Sequence, residues 1–263
     1  MSDFYYFAQS IDDAALTLNT LDEATGYPTE NLQDRNKNTI WKCGLANTSG
    51  YIQIDLGSSR ACDFLILGNH NYTNTAVGIK LSRCVDSNGD FTPEGFSIGN
   101  GGYHDYVSGN LTNWIETFSS VESRYWRIYL EAMGIATYQQ IGTIFLGTYW
   151  DHNHNPEIGI GGSSGYIIEN RETSAGRRSA NILNTTVRRQ WNYDYKYIIA
   201  SEETKFNTWR DTIFIGKGLS GYPFYFSDDQ GTTLYFVRNL GELKLKEHAY
   251  QVYETSITLE EEL

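Results

Sequence analysis

His152 and His154 alternate in the run Asp151-His-Asn-His-Asn155, a spacing that can offer two imidazoles and a carboxylate to a metal ion. A closed zinc site also needs ligands from distant parts of the chain, which this run lacks, so it reads first as a polar linker. His104 lies in Gly99-Asn-Gly-Gly-Tyr-His-Asp105, which has no following Lys-Ser/Thr and opens no helix. That segment is a glycine-rich loop and not a phosphate cradle. Carboxylates are abundant, at 32 Asp and Glu, but a glycosidase pair is defined by its separation in a cleft, which chain spacing does not specify. There is no Gly-x-Ser-x-Gly elbow and no cysteine with a convincing histidine partner, so the chain is expected not to be an enzyme.

The chemistry that remains is recognition. Sugars are held by aromatic faces and planar polar groups, and Tyr72, Arg83, Tyr103 and Tyr106 are the candidate ligand-binding residues on that ground. Trp114 has the same chemistry but is better placed in a core.

Composition narrows the partners. A net charge of −12 repels nucleic acid and anionic membranes, and no basic stripe offsets it. The basic pairs Arg177-Arg178 and Arg188-Arg189 are expected to be solvated or locally paired. Three cysteines, Cys43, Cys62 and Cys84, are an odd number without a CxxC spacing, which suits assembly in a reducing interior. No basic-then-apolar leader opens the sequence and no run approaches the roughly 18 apolar residues of a membrane span, so neither export signal nor membrane anchor is expected.

The elements that must position these residues are strands. With 20 Tyr, 12 Phe, 25 Gly and only 4 Pro, the chain suits short strands and tight turns. Tyr51-Ile-Gln-Ile-Asp-Leu56 alternates apolar and polar side chains, as a half-buried strand does. Phe64-Leu-Ile-Leu67 is a continuous apolar run, and Ala76–Leu81, Trp114–Phe118, Tyr125–Leu130 and Ile141–Leu146 follow at intervals, the pattern of a sandwich. The texture changes near residue 150, which predicts two domains. The expected organisation is a first strand or arm over 1–24, a sandwich over 25–150, a linker over 151–165 and a second β-rich domain over 166–263. Phe206, Trp209, Ile213 and Phe214 fall at helical spacing, which predicts one helix over 202–216, with Ser201, Glu203 and Thr204 capping its start. Phe224-Tyr-Phe226 and Leu234–Arg238 predict a hairpin, and Tyr250–Leu259 a closing strand.

The ordered series Gly26-Tyr-Pro, Asn31-Leu-Gln-Asp34, Trp41-Lys-Cys, Tyr51-Ile-Gln-Ile-Asp-Leu-Gly57 and Asp63-Phe-Leu-Ile-Leu-Gly-Asn-His-Asn71 resembles the discoidin, or coagulation-factor type-C, family. Ser123-Arg-Tyr-Trp-Arg-Ile128 and Ile141–Gly147 continue the likeness. The resemblance implies an all-β, galactose-binding-like jelly roll with binding loops at one end, used for glycans, lipids or proteins. It puts His70 in a structural strand-end turn, and it is compatible with a structural calcium held by loop oxygens near Asp34 and Asn36, with no other cofactor.

The second half, from the helix through Pro223-Phe-Tyr-Phe and Tyr-Phe-Val-Arg238 to Glu260-Glu-Glu262, resembles the β-rich domains of bacteriophage distal-tail and minor-tail proteins. That resemblance implies a virion tail component, assembled in the host cytoplasm, whose partners are copies of itself and neighbouring tail proteins, together with a surface glycan. The rival expectations are a carbohydrate-binding module for a cell-surface glycan and, third, a glycan depolymerase.

Overall fold

The computed structural model describes residues 4–7, 11–36, 38–72, 78–84, 104–105, 113–132, 138–152, 155–156, 163–172, 178–214 and 221–262; for 78, 80, 104–105, 163–172, 178–188 and 214 it describes the backbone alone. In chain order the elements begin with β1 (Tyr5–Phe7), β2 (Ala15–Asn19), a 3-10 turn (Thr29–Leu32), β3 (Trp41–Lys42), β4 (Gly50–Gly68) and β5 (Gly78–Cys84). They continue with β6 (His104–Asp105), β7 (Asn113–Leu130), β8 (Gln140–Ile141), β9 (Thr143–Gly147) and β10 (Tyr149–Asp151). The remainder is β11 (Ser163–Glu172), β12 (Arg178–Ile199), helix α1 (Ala200–Phe214), β13 (Phe224–Ser227), β14 (Tyr235–Asn239), β15 (Lys246–Ala249) and β16 (Val252–Glu261). The chain is all-β with two β-rich units and one α-helix among the described residues, the class expected from its strand pattern.

One unit is Phe7–Tyr149, and the other joins Met1–Tyr6 to Trp150–Leu263. The boundaries therefore differ from those expected. Residues 1–24 are not one segment: β1 enters the sheet of the C-terminal unit between β10 and β13, whereas β2 pairs with β4 in the sandwich. The sandwich is thus an insertion between two strands that are hydrogen-bonded neighbours. Nor is 151–165 wholly a linker, since Asp151 ends β10 and Ser163 begins β11.

In the sandwich unit the two expected strands around Gly57 are one continuous strand, β4, which runs antiparallel to β7 along its length, with Ile54 opposite Trp126 and Leu67 opposite Trp114. The register shifts between Asp55 and Arg60. There Gly57 takes φ +74°, which costs a side-chain-bearing residue more, and its N–H donates to Asp55 Oδ1 at 2.8 Å. Arg124 clamps the same carboxylate from β7 through two bonds of 2.7 and 2.9 Å, and this hydrogen-bonded guanidinium holds the Asp55 carboxyl below its ordinary range. Past the bend the strand changes neighbours: β2 lies along its first half and β9 along its second, while β5 flanks the second half of β7. Ile52, Ile54, Leu56, Cys62, Leu65 and Leu67 from β4 meet Trp126, Ile128 and Leu130 from β7 in one core cluster.

The C-terminal unit has the sheet order β10-β1-β13-β14-β16-β12-β11, with β15 added on β16. Its core is aromatic. Trp150 stacks on Trp209 at 5.4 Å and meets Tyr6, Tyr195 and Phe206 at 5.0–5.2 Å. Phe206, Trp209 and Ile213 form the buried stripe of α1, as their spacing predicts. The cap differs: Glu202, not Ser201, accepts the Ile199 N–H at 3.2 Å, because the helix begins one residue before Ser201.

Candidate ligand-binding face

A two-residue ribbon sets the geometry of one polar-aromatic surface of the sandwich unit. Trp41 pairs with Ile141 and Lys42 with Gln140. Trp41 and Ile141 are fully buried, and strand alternation turns Lys42 and Gln140 the other way. Three backbone bonds moor the ribbon: Ala24 N–H to Lys42 O, Cys43 N–H to Gln139 O and Gly44 N–H to Asp22 O, at 2.8–2.9 Å.

Two tyrosines flank Lys42. Tyr27 follows a turn closed by its own N–H on Ala24 O at 2.9 Å, and Gly26 within it takes φ +85°. Tyr138 is fixed by Asn71, whose amide donates to Tyr138 O at 2.7 Å, accepts the Gln140 N–H at 2.9 Å, and whose backbone N–H donates to Gln140 O at 3.2 Å. The Lys42 ammonium stands 4.7 Å from the Tyr138 ring centre and 5.7 Å from that of Tyr27. Tyr27 is 38% and Tyr138 39% exposed, so each ring keeps a wet face. The result is a cation between two aromatic platforms, with the Gln140 amide beside it.

The expected ligand-binding residues do not gather there. Tyr72 is fully buried in the core cluster, a correction to its expected exposure: its apolar ring fills the sandwich interior, where no sugar can reach it. Arg83 lies half-buried on β5 opposite Trp126. Tyr103 and Tyr106 lie outside the described residues. Trp114 joins the core cluster, as expected.

Among the histidines, His70 is 3% exposed and its Nδ1 accepts the Tyr72 N–H at 3.1 Å; burial pushes its pKa down to about 4, so the ring is neutral and structural. His152, read first as part of a polar linker, is buried at 1% exposure. Its Nε2 lies 3.4 Å from Glu202 Oε2, and the ring stands among Trp150 and Tyr195. It continues the inward face of Trp150 two residues on, while Asp151 between them turns out to Lys205 at 3.6 Å. His154 and the His104 side chain lie outside the described residues. Arg189 pairs with Glu261 at 3.9 Å and lies over the Tyr235 ring, the local pairing expected of it.

The loop from Asp34 to Thr39 is a poor fit to calcium. The ion takes six to eight oxygens, whereas the single carboxylate here, Asp34, already accepts the Asn36 N–H at 2.8 Å and the Thr39 hydroxyl at 2.6 Å. Asn36 Oδ1 likewise accepts the Asn38 N–H at 3.0 Å, so the turn is closed by its own side chains. Among the described residues, no group of three or more His, Cys, Asp or Glu could hold a metal ion, and no helix is long and apolar enough to cross a membrane.

No family profile matches this chain, and no curated protein does. Several solved structures are similar to it. One is CpGH89CBM32-5 from Clostridium perfringens in complex with GalNAc-β-1,3-galactose, at 15% identity and TM-score 0.42, covering 54% of this chain and 99% of that one. Another is chitosan-binding module 2 in complex with chitotriose, from a chitosanase/glucanase of Paenibacillus sp. IK-5, at 17% identity and TM-score 0.41, covering 53% and 99%. A third is the CBM32 of AlyQ in complex with 4,5-unsaturated mannuronic acid, at 21% identity and TM-score 0.34, covering 50% and 92%.

Tyr27 and Lys42 lie within the motifs Gly26-Tyr-Pro and Trp41-Lys-Cys, but nothing in either motif separates a half-exposed ring from a buried one. Tyr138 carried no local signal. Its place depends on the Asn71 side chain, which reaches it from a remote part of the chain.

Proposed function

We propose that the sandwich unit is a non-catalytic glycan-binding module and that Tyr27, Lys42, Tyr138 and Gln140 form its binding face. The observation that carries this is the pair of half-exposed rings about one ammonium, with the Tyr138 backbone fixed by Asn71. The wet face of a tyrosine takes the C–H face of a pyranose, and a neighbouring ammonium and amide donate to ring hydroxyls. Because Lys42 lies against both rings and the backbones of Tyr27 and Tyr138 are hydrogen-bonded in place, less ordering entropy is lost on binding. Nothing in this arrangement supplies a carboxylate pair or an activated nucleophile, so the sugar leaves as it came. Tyr27→Ala and Tyr138→Ala are each expected to weaken binding roughly tenfold, about 1.4 kcal/mol, with an unchanged melting temperature. Glycan-array screening followed by calorimetry on the best hit checks this; a native chain with no hits, or two variants that bind as well as it does, would sink the reading.

A second reading concerns the C-terminal unit: a virion tail component that associates with copies of itself. The self-association in it is what Tyr197, Ile199 and Tyr250 support, exposed at 60%, 47% and 84%, where Ile199 lies opposite Val252 and Tyr250 tips the β15–β16 hairpin. Light scattering at rising concentration is expected to show a mass above that of one chain, lowered by Tyr250→Ser with Ile199→Ser; a monomer throughout counts against it.

A further inference from the structure

Lys42 differs from Lys205, Lys244 and Lys246 in what stands beside it. Those three ammoniums lie 3.6, 2.6 and 2.9 Å from the carboxylates of Asp151, Glu242 and Glu254. Lys42 lies against two rings instead, and among the described residues it has no ion-pair partner. The carboxylate that the ribbon's mooring brings alongside belongs to Glu23, which bridges to Cys43. Its Oε2 accepts the Thr29 N–H at 2.9 Å and the Thr29 hydroxyl at 2.8 Å, so it is committed to bracing the segment that carries Tyr27.

A cation on aromatic faces is attracted by the ring quadrupoles yet keeps its whole charge, so an anion placed beside it still gains. Lys42 is half-buried, and its neighbours on this face, Tyr27, Tyr138 and Gln140, are all neutral. Gln140 is its partner across the ribbon, and cross-strand partners carry their β-carbons about 5 Å apart. That sets an ammonium and an amide side by side, two donors for the two oxygens of one carboxylate. Hydrogen bonds to a charged acceptor are roughly twice as strong as those to a neutral hydroxyl. The net charge of −12 opposes anions at long range, but at physiological ionic strength it is screened beyond about 8 Å, whereas Lys42 acts in contact.

We propose that the face around Lys42 selects an acidic saccharide, one whose bound unit is a uronic acid, and that Lys42 is the residue that sets this specificity. The inference rests on the reading of this face as a glycan site and names the class of sugar it takes. The rings of Tyr27 and Tyr138 hold the apolar side of the pyranose, while the Lys42 ammonium and the Gln140 amide hold its carboxylate. A neutral hexose offers the ammonium hydroxyls alone and binds more weakly. A bare carboxylate offers the rings nothing to stack on.

The test is calorimetric titration of the full chain with galacturonate and galactose, with glucuronate and glucose, and with acetate. The expected result is a uronate that binds roughly tenfold tighter than its neutral parent, by a margin that narrows as salt is raised. Lys42→Gln should remove the preference and Lys42→Arg keep it, both at the native melting temperature. Equal affinity for a uronate and its parent, or a preference that survives Lys42→Gln in a folded chain, overturns the acidic specificity and leaves the glycan-binding reading standing. Acetate competing at equal concentration overturns it as well, because the sugar would then contribute nothing. So does a lack of binding by all four sugars, after which the glycan array decides the parent reading by itself.

Discussion

Replacing Trp150 with alanine is expected to cost the C-terminal unit about 3–5 kcal/mol, the range for removing a large buried aromatic, and to lower its melting temperature by more than about 10 °C. The indole has no exposed surface and meets rings from three different elements: Tyr6 on β1, Tyr195 on β12, and Phe206 and Trp209 on α1. No single neighbour can move in to fill the space, because each is fixed by another aromatic contact, Tyr6 with Phe226 and Trp209 with Phe224 among them. A loss of this size is a large share of the 5–15 kcal/mol that holds an ordinary domain together. The sandwich has its own core cluster, which does not include Trp150, so its transition should remain where it was. Calorimetric scans of native chain, Trp150→Ala and Trp150→Phe check this, with the phenylalanine variant expected between the other two. An alanine variant that melts with the native profile would show that the aromatic cluster is not what holds this unit.

Strand existence was legible in the sequence because it rests on a local rule. Tyr51–Leu56 alternates, and its even-numbered residues Ile52, Ile54 and Leu56 are the ones that enter the core. Phe64–Leu67 is apolar throughout, and all four residues are buried. What the rule misses is continuity: Tyr51–Leu56 and Phe64–Leu67 read as separate runs, whereas the Asp55 carboxylate and Arg124 hold the chain through the bend at Gly57 into the second half of the same strand. It also misses cases in which a polar residue is buried with a partner. His152 looked like linker because its neighbours Asp151 and Asn155 are polar, yet a strand needs only alternate residues inward, and Glu202 supplies the company a buried imidazole requires. Tyr72 departs in the opposite sense, since a tyrosine has the chemistry of a sugar platform wherever it lies, and here its ring is core. The candidate face escaped because Tyr27, Lys42 and Tyr138 are brought together only by pairing between distant segments.

Removing residues 1–6 is expected to abolish cooperative folding of the C-terminal unit, although those residues stand at the far end of the sequence from most of it. In the sheet order β1 lies between β10 and β13, so its loss would expose the pairing groups of both neighbours, and unpaired strand edges are costly and prone to association. The side chains add to this. Phe4 packs edge-on against Tyr193 at 5.0 Å, and Tyr6 meets Trp150, Trp209 and Phe226 at 5.0–5.2 Å while bonding its hydroxyl to that of Tyr195 at 2.7 Å. Backbone pairing on both sides together with two buried rings exceeds what any one substitution removes, so the truncation should act more strongly than Trp150→Ala. The sandwich unit begins at Phe7 and keeps its own core, so one melting transition should survive and one should vanish. A synthetic peptide of residues 1–7 added to the truncated chain should restore the lost transition by strand addition, since the groove between β10 and β13 is specific to it. Rescue by that peptide but not by one with Tyr6→Ser would tie the effect to the strand and its ring; two undisturbed transitions after truncation would mean that the C-terminal sheet closes without its first strand.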